Sequence, residues 1–247
     1  MTINTAKIRM LEGKPAIGAE AGLGSIIAVE TLASIGWDYI MVDNQHGNWS
    51  DHMNLDAFRS IKLGGSIPIS RVRHNEYSAI GRLLDQGALG IIVPMVNTEE
   101  DAKIAVNAVR YPPLGTRSNG AYGVKYFGSD YLKQANEEIF LAVQIETKSG
   151  LENVDKIMGV EGIDGCWVGP SDLALSLGVE FESKEHDEAI SKIFDACDKS
   201  GKIPGICCFN TGMTKKWLSK GALFVTSGAD ISFMIEGSNA TLKELGR

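Results

Sequence analysis

Four short stretches of the chain hold side chains that could work together as acids, bases and ligands. They are Asp43-Asn44-Gln45-His46, Arg71 with Arg73, Gln144-Ile145-Glu146, and Gly169-Pro170-Ser171-Asp172. Glu146 and Asp172 are hard oxygen donors with no cysteine beside them, a set that suits octahedral Mg²⁺ or Mn²⁺ rather than a closed zinc site. Such a cation would chelate a 2-oxoacid through its carboxylate and keto oxygens and polarise the ketone. An arginine beside it would stabilise an enolate that develops on proton loss or C–C cleavage. His46 has the chemistry of an acid/base near neutral pH, with Asp43 or another carboxylate setting its tautomer. His52, His74 and His186 fall in or beside helices or in a turn and are read as solvated residues.

Residues so far apart in sequence can meet only if successive elements end at one place. The segments GWDYIMVD (36–43), GALGIIVP (87–94), GIDGCWVG (162–169) and GALFVTSG (221–228) share a pattern. Each opens with glycine, suited to the left-handed cap that ends a helix, and continues through apolar and β-branched residues. Uninterrupted runs of this kind are expected of strands covered on both faces. Further strands are predicted at 15–19, 67–72, 140–145 and 203–207, making eight in all. Amphipathic stretches at 24–34, 51–63, 76–86, 98–110, 183–200, 211–220 and 230–245 read as helices between or after them. Eight strands alternating with helices in 247 residues predict an α/β fold, a single (β/α)8 barrel spanning 1–247. No GxGxxG follows the first strand, which argues against a dinucleotide-binding sheet. In such a barrel the active site lies at the C-terminal ends of the strands, where all four stretches fall. The segment YPPLGTRSNGAYGVKYF (111–127) is the one long irregular stretch, and loops of that length are usually functional.

Composition removes other classes. Twenty-four basic against thirty-one acidic residues give a net charge of -7, which does not suit a nucleic-acid partner. No run approaches the roughly 20 apolar residues of a membrane span. The four cysteines, Cys166, Cys197, Cys207 and Cys208, form no CxxC pair and read as free thiols in a reducing compartment. The opening stretch MTINTAKIRMLEGKPAIG has early charges and no apolar core, so no signal peptide is expected and the expected location is the cytoplasm.

The pieces WDYIMVDNQHG, RLLDQGALGIIVPMVNTEEDA, RYPPLGTRS, VQIET and GIDGCWVGPSDLALSLG, in that order, resemble the HpcH/HpaI family of class II pyruvate aldolases. This is the 4-hydroxy-2-oxoheptanedioate and 2-keto-3-deoxyglucarate aldolase group, and the likeness runs from about Gly18 to Gly228. The resemblance implies reversible, metal-dependent cleavage of a 4-hydroxy-2-oxoacid to pyruvate, or hydroxypyruvate, and an aldehyde. It implies His46 as the base, Arg71 as the residue that stabilises the transition state, and Glu146 and Asp172 as ligands of Mg²⁺ or Mn²⁺, with Co²⁺ a further option. Gln144 and the backbone of Ser171 and Asp172 match positions that hold the oxoacid. Asp85, in RLLDQG, matches an aspartate that reaches the histidine of a neighbouring subunit. A homohexamer of dimers that exchange C-terminal helices is therefore expected.

Two departures stand out. Many members have Glu-His where this chain has Gln45-His46, which changes the charge beside the base. The loop after YPPLGTRS lacks the His-Arg or Ala-Arg of well-known members, and Tyr122, Lys125 or Tyr126 is the expected substitute. Against a class I aldolase, Lys148 and Lys202 are both poorly placed for a Schiff base. The remaining alternatives are a non-catalytic oxoacid-binding barrel and a CoA-ester lyase of the citryl or malyl type.

Overall fold

The structure is a computed structural model that describes residues 3–120 and 127–247. Eight parallel strands close into a barrel in sequence order. They are β1 (Ala16–Ala21), β2 (Tyr39–Asp43), β3 (Ile67–Arg71), β4 (Gly90–Val93), β5 (Phe140–Ile145), β6 (Gly165–Val168), β7 (Gly205–Cys208) and β8 (Phe224–Ala229). Each predicted strand is present. β1 runs two residues beyond its predicted end at Ala19 and so takes in Glu20.

The helices follow from local chemistry. α1 (Thr5–Leu11) precedes the barrel, and α2 (Ile26–Ile35) is capped by the Ser25 hydroxyl and stopped by Gly36 at φ 118°. α3 (Asp51–Gly64), α4 (Tyr77–Gln86) and α5 (Glu99–Val109) cover β2 to β4, the last opened by a capping box between Thr98 and Asp101. α6 (Tyr131–Glu138), the short α7 (Lys148–Glu152) and α8 (Val154–Met158), and α9 (Pro170–Leu177) come next. α10 (Lys184–Lys199), α11 (Thr211–Ser219) and α12 (Asp230–Glu244) complete the ring. Sequence periodicity had marked none of α1, α6, α7, α8 and α9.

One mouth of the barrel is shut and the other is open. At the N-terminal face, Asn4 Nδ2 donates to the carbonyls of Leu89 and Glu138, and Lys7 Nζ pairs with Asp164 at 2.8 Å. Buried Arg110 donates to the carbonyls of Gly162, Asn136 and Ile139 and to Asp164. Inside, the Tyr39 and Phe140 rings each lie 4.8 Å from Phe224. A Cβ on Gly18 would overlap the Tyr39 ring, so glycine is needed there for the layer to pack. Above this layer, Thr226 Oγ1 pairs with the Tyr39 hydroxyl at 3.0 Å and accepts from Trp167 Nε1 at 3.1 Å. Trp167 is the floor on which the open, C-terminal mouth is built.

Candidate active site

The last inward residues of the strands and the first turns after them enclose a cleft of about 230 Å³ at the C-terminal mouth. It is lined by Glu20, His46, Arg71, Gln144, Trp167, Gly169, Pro170, Ser171, Asp172, Cys207 and Phe209. Five of the residues singled out from sequence thus meet in one place. Asp43 and Glu146 lie directly behind them.

Asp43 ends β2 fully buried. Its Oδ1 accepts from Arg71 Nε at 2.9 Å and its Oδ2 from Arg71 Nη2 at 2.7 Å. The same Oδ1 accepts from the backbone N–H groups of Gln45 and His46 at 3.0 and 3.3 Å. Asp43 therefore orients the arginine and shapes the turn carrying the histidine, rather than bonding the imidazole. The Arg71 guanidinium lies 5.2 Å above the Trp167 ring, and the doubly bonded Asp43 carboxylate keeps it charged despite burial. The His46 ring is exposed and lines both this cleft and an adjoining one that includes Gln45, Arg73 and His74. Arg73 is turned onto backbone, its Nε donating to the Asn44 carbonyl at 3.1 Å.

On the opposite wall, Glu146 Oε1 accepts from the Met95 N–H at 2.8 Å, and Gln144 Nε2 donates to Glu146 Oε2. Met95 sits at φ 58°, the left-handed conformation that turns its N–H onto the carboxylate. Burial, with the charge of Asp172 adding to it, pushes the Glu146 carboxyl up to about 7. Asp172 and Ser171 are exposed in the first turn of α9, which begins directly after β6 with Pro170 at its first position.

The donor set answers whether a divalent cation suits this wall. Among the described residues no group of three or more His, Cys, Asp or Glu gathers as a cation cage. What is present is Glu146, Asp172 and the buried Gln144 Oε1, which has no hydrogen-bond partner among the described residues. A Cβ on Gly169 would come within 2.7 Å of both Gln144 Nε2 and Glu146 Oε2, so glycine keeps the space beside them open. Hard oxygens with open positions suit a hard cation that shares its shell with substrate or water.

Asp85 lies on α4, outside the cleft of its own chain, with Oδ1 accepting from Arg117 Nη2 at 3.1 Å. Tyr122, Lys125 and Tyr126 lie outside the described residues. His186 is not solvated as expected. It is fully buried, its Nδ1 accepting from the Glu182 N–H and its Nε2 within 2.9 Å of the Pro170 carbonyl, which braces the start of α9. Sequence reasoning missed Glu20, the inward residue next along β1 after Gly18. Burial and the neighbouring Asp43 push its carboxyl up to about 7, against an opposing pull from Arg71.

A family model described as HpcH/HpaI aldolase/citrate lyase matches residues 23–237. The chain belongs to that family. A relative from Klebsiella pneumoniae named 4-hydroxy-2-oxo-heptane-1,7-dioate aldolase is 36% identical over 244 residues, covering 96% of this chain and 92% of the relative. A hydroxypyruvate/pyruvate aldolase from Rhizorhabdus wittichii is 38% identical over 228 residues, covering 90% and 91%. A solved HpcH/HpaI aldolase/citrate lyase family structure from Burkholderia cenocepacia superposes with a TM-score of 0.92 at 29% identity, covering 99% of this chain and 100% of that one. The HpcH/HpaI family and the barrel read from sequence are both shown.

Proposed function

We propose that this HpcH/HpaI protein is a carbon–carbon lyase, a class II aldolase that reversibly cleaves a 4-hydroxy-2-oxoacid to pyruvate or hydroxypyruvate and an aldehyde. The observation that carries the reading is the convergence, in one barrel mouth, of the Asp43–Arg71 pair, His46, and the Gln144–Glu146–Asp172 wall. Glu146 and Asp172 would hold Mg²⁺ or Mn²⁺, with Co²⁺ a further option, and the bound cation would supply Lewis acidity toward the oxoacid oxygens. Gln144 and the backbone of Ser171 and Asp172 orient the oxoacid. His46, directly or through a water, takes the proton of the 4-hydroxyl as the C3–C4 bond breaks. The bonding pair moves onto the oxoacid fragment as an enolate, and protonation at C3 completes pyruvate. Arg71 stabilises that enolate. Asp43 occupies its Nε and Nη2, which leaves Nη1 for the substrate oxygen.

The assembly belongs to the same reading. The exposed His46 ring makes no hydrogen bond among the described residues, which leaves it open to the carboxylate of a neighbouring subunit that the resemblance implies. Asp85, one-third exposed with one oxygen bound to Arg117, supports that role. On α12, Ile231, Met234, Ile235 and Leu242 stand exposed, an apolar surface that supports helix exchange between subunits in a homohexamer. No helix among the described residues is long and apolar enough to cross a membrane, and all four cysteines are free and buried, which supports a reducing, cytoplasmic setting.

The experiment that tests the reading is loss of the pyruvate methyl signal by proton NMR in D₂O, with Mn²⁺, Mg²⁺ or EDTA, repeated with hydroxypyruvate. Metal-dependent exchange that disappears in His46→Ala and Glu146→Ala protein is expected. Absence of exchange with both oxoacids would favour a non-catalytic oxoacid-binding barrel or a CoA-ester lyase.

A further inference from the structure

The mechanism above leaves one acid of the cleft unemployed. Glu20 lines the same 230 Å³ space as His46, Arg71 and Gln144, yet it stands on β1, four strands from β5 in either direction round the closed barrel. It therefore faces Gln144 and Glu146 from the opposite wall. An oxoacid whose carboxylate and ketone are held by the β5–β6 wall points its C4 end, where the aldehyde forms, toward β1 and β2. His46, which takes the 4-hydroxyl proton, stands on that side, and Glu20 lines the same cleft from the neighbouring strand β1.

The neighbours of Glu20 do not neutralise it. Two of the Arg71 nitrogens are bound to Asp43 on β2. Asp230, at the start of α12, gives its carboxylate to the backbone N–H groups of Gly22, Leu23 and Ile231 and adds like charge. Cys207 on β7 brings no cation. The Asp43 carboxylate, bound to Arg71, adds further like charge. A carboxylate in this position accepts a hydrogen bond from a hydroxyl group. To a second carboxylate it offers lone pairs and negative charge.

Building on the aldolase reading, we propose that Glu20 selects the aldehyde, accepting those that carry a hydroxyl group near the carbonyl and rejecting those that carry a carboxylate. The chain would then depart from the Klebsiella relative, whose named dioate substrate has a carboxylate at both ends.

The test compares aldol addition of pyruvate to glyceraldehyde and to succinic semialdehyde by the Mn²⁺-loaded enzyme. Wild-type protein is expected to have the higher kcat/KM for glyceraldehyde. Glu20→Gln is expected to shift the ratio toward succinic semialdehyde by about 10- to 100-fold, the effect of removing a like charge about 6 Å away at an intermediate dielectric. An unchanged ratio in folded Glu20→Gln and Glu20→Ala proteins would overturn the proposal. A wild-type preference for succinic semialdehyde would overturn it without any variant. The two readings fail differently: wild-type protein that exchanges no pyruvate methyl protons removes the aldolase itself, whereas exchange with an unaltered acceptor ratio removes only the role of Glu20.

Discussion

Replacing Asp43 by asparagine keeps the shape of the side chain and removes its charge. In the native site Oδ1 accepts three hydrogen bonds, from Arg71 Nε and the N–H groups of Gln45 and His46, while Oδ2 accepts from Arg71 Nη2 at 2.7 Å. An asparagine can keep its oxygen toward the three donors only by turning its NH₂ group onto Nη2, donor against donor. The guanidinium, 8% exposed, would then lie buried without its counter-charge. Breaking a buried pair by removing one partner costs about 3–5 kcal/mol, and the retained oxygen puts this change near the lower end. At roughly 2–4 °C per kcal/mol for a chain of this size, the melting temperature should fall by about 6–12 °C. Activity should fall further than stability, because Arg71 would swing from the enolate position and the turn carrying His46 would lose a fixed acceptor. The assay pairs thermal melting with methyl-proton exchange of pyruvate at a temperature where the variant is folded. A melting point within about 2 °C of wild type together with unchanged exchange would show that the pair neither holds the mouth nor positions the arginine.

Further outcomes follow from the acids of the mouth. The carboxyls of Glu20 and Glu146, raised from 4.5 to about 7, each hold protons in the folded state that the unfolded chain has released, so stability should fall as pH rises between those values. Each contributes up to about 3 kcal/mol to that loss, so Glu20→Gln should melt higher than wild type at pH 8 and show about half the slope of melting temperature against pH. Identical slopes would refute the assignment. Mn²⁺ at a hundred times its dissociation constant should stabilise the wild type by about 2.7 kcal/mol, or about 5–10 °C in melting temperature. Glu146→Ala should abolish that rise, and a retained rise would place the cation elsewhere.

The barrel was legible because the strands are short apolar runs, four of them opened by a helix-ending glycine, a pattern that propensity and periodicity report directly. Once the strand ends were placed, so were His46, Arg71, Gln144, Glu146, Ser171 and Asp172, since the C-terminal mouth gathers whatever polar residues terminate the strands. The helices that escaped had other causes. α1 covers the closed face through Asn4 and Lys7, a tertiary task with no periodic signature, and α7 and α8 have only five residues each. His186 was misread because its burial depends on a carbonyl sixteen residues away in sequence.

Glu20 escaped for a sharper reason. Ending β1 at Ala19 put the acid in a loop, whereas the strand continues to Ala21, and the period of two that points Gly18 inward then carries Glu20 into the mouth. A boundary error of two residues, trivial for the fold, thus removed a carboxyl group from the site. That carboxyl bears on the Gln45 departure. Position 45, where many members have glutamate, here holds an uncharged amide whose buried Oε1 has no partner among the described residues. A carboxyl group is still supplied to this side of the mouth, from β1 instead of from the turn after β2. On the proposal above, Glu20 bears on the aldehyde end of the cleft while Asp43 and Arg71 keep the enolate end.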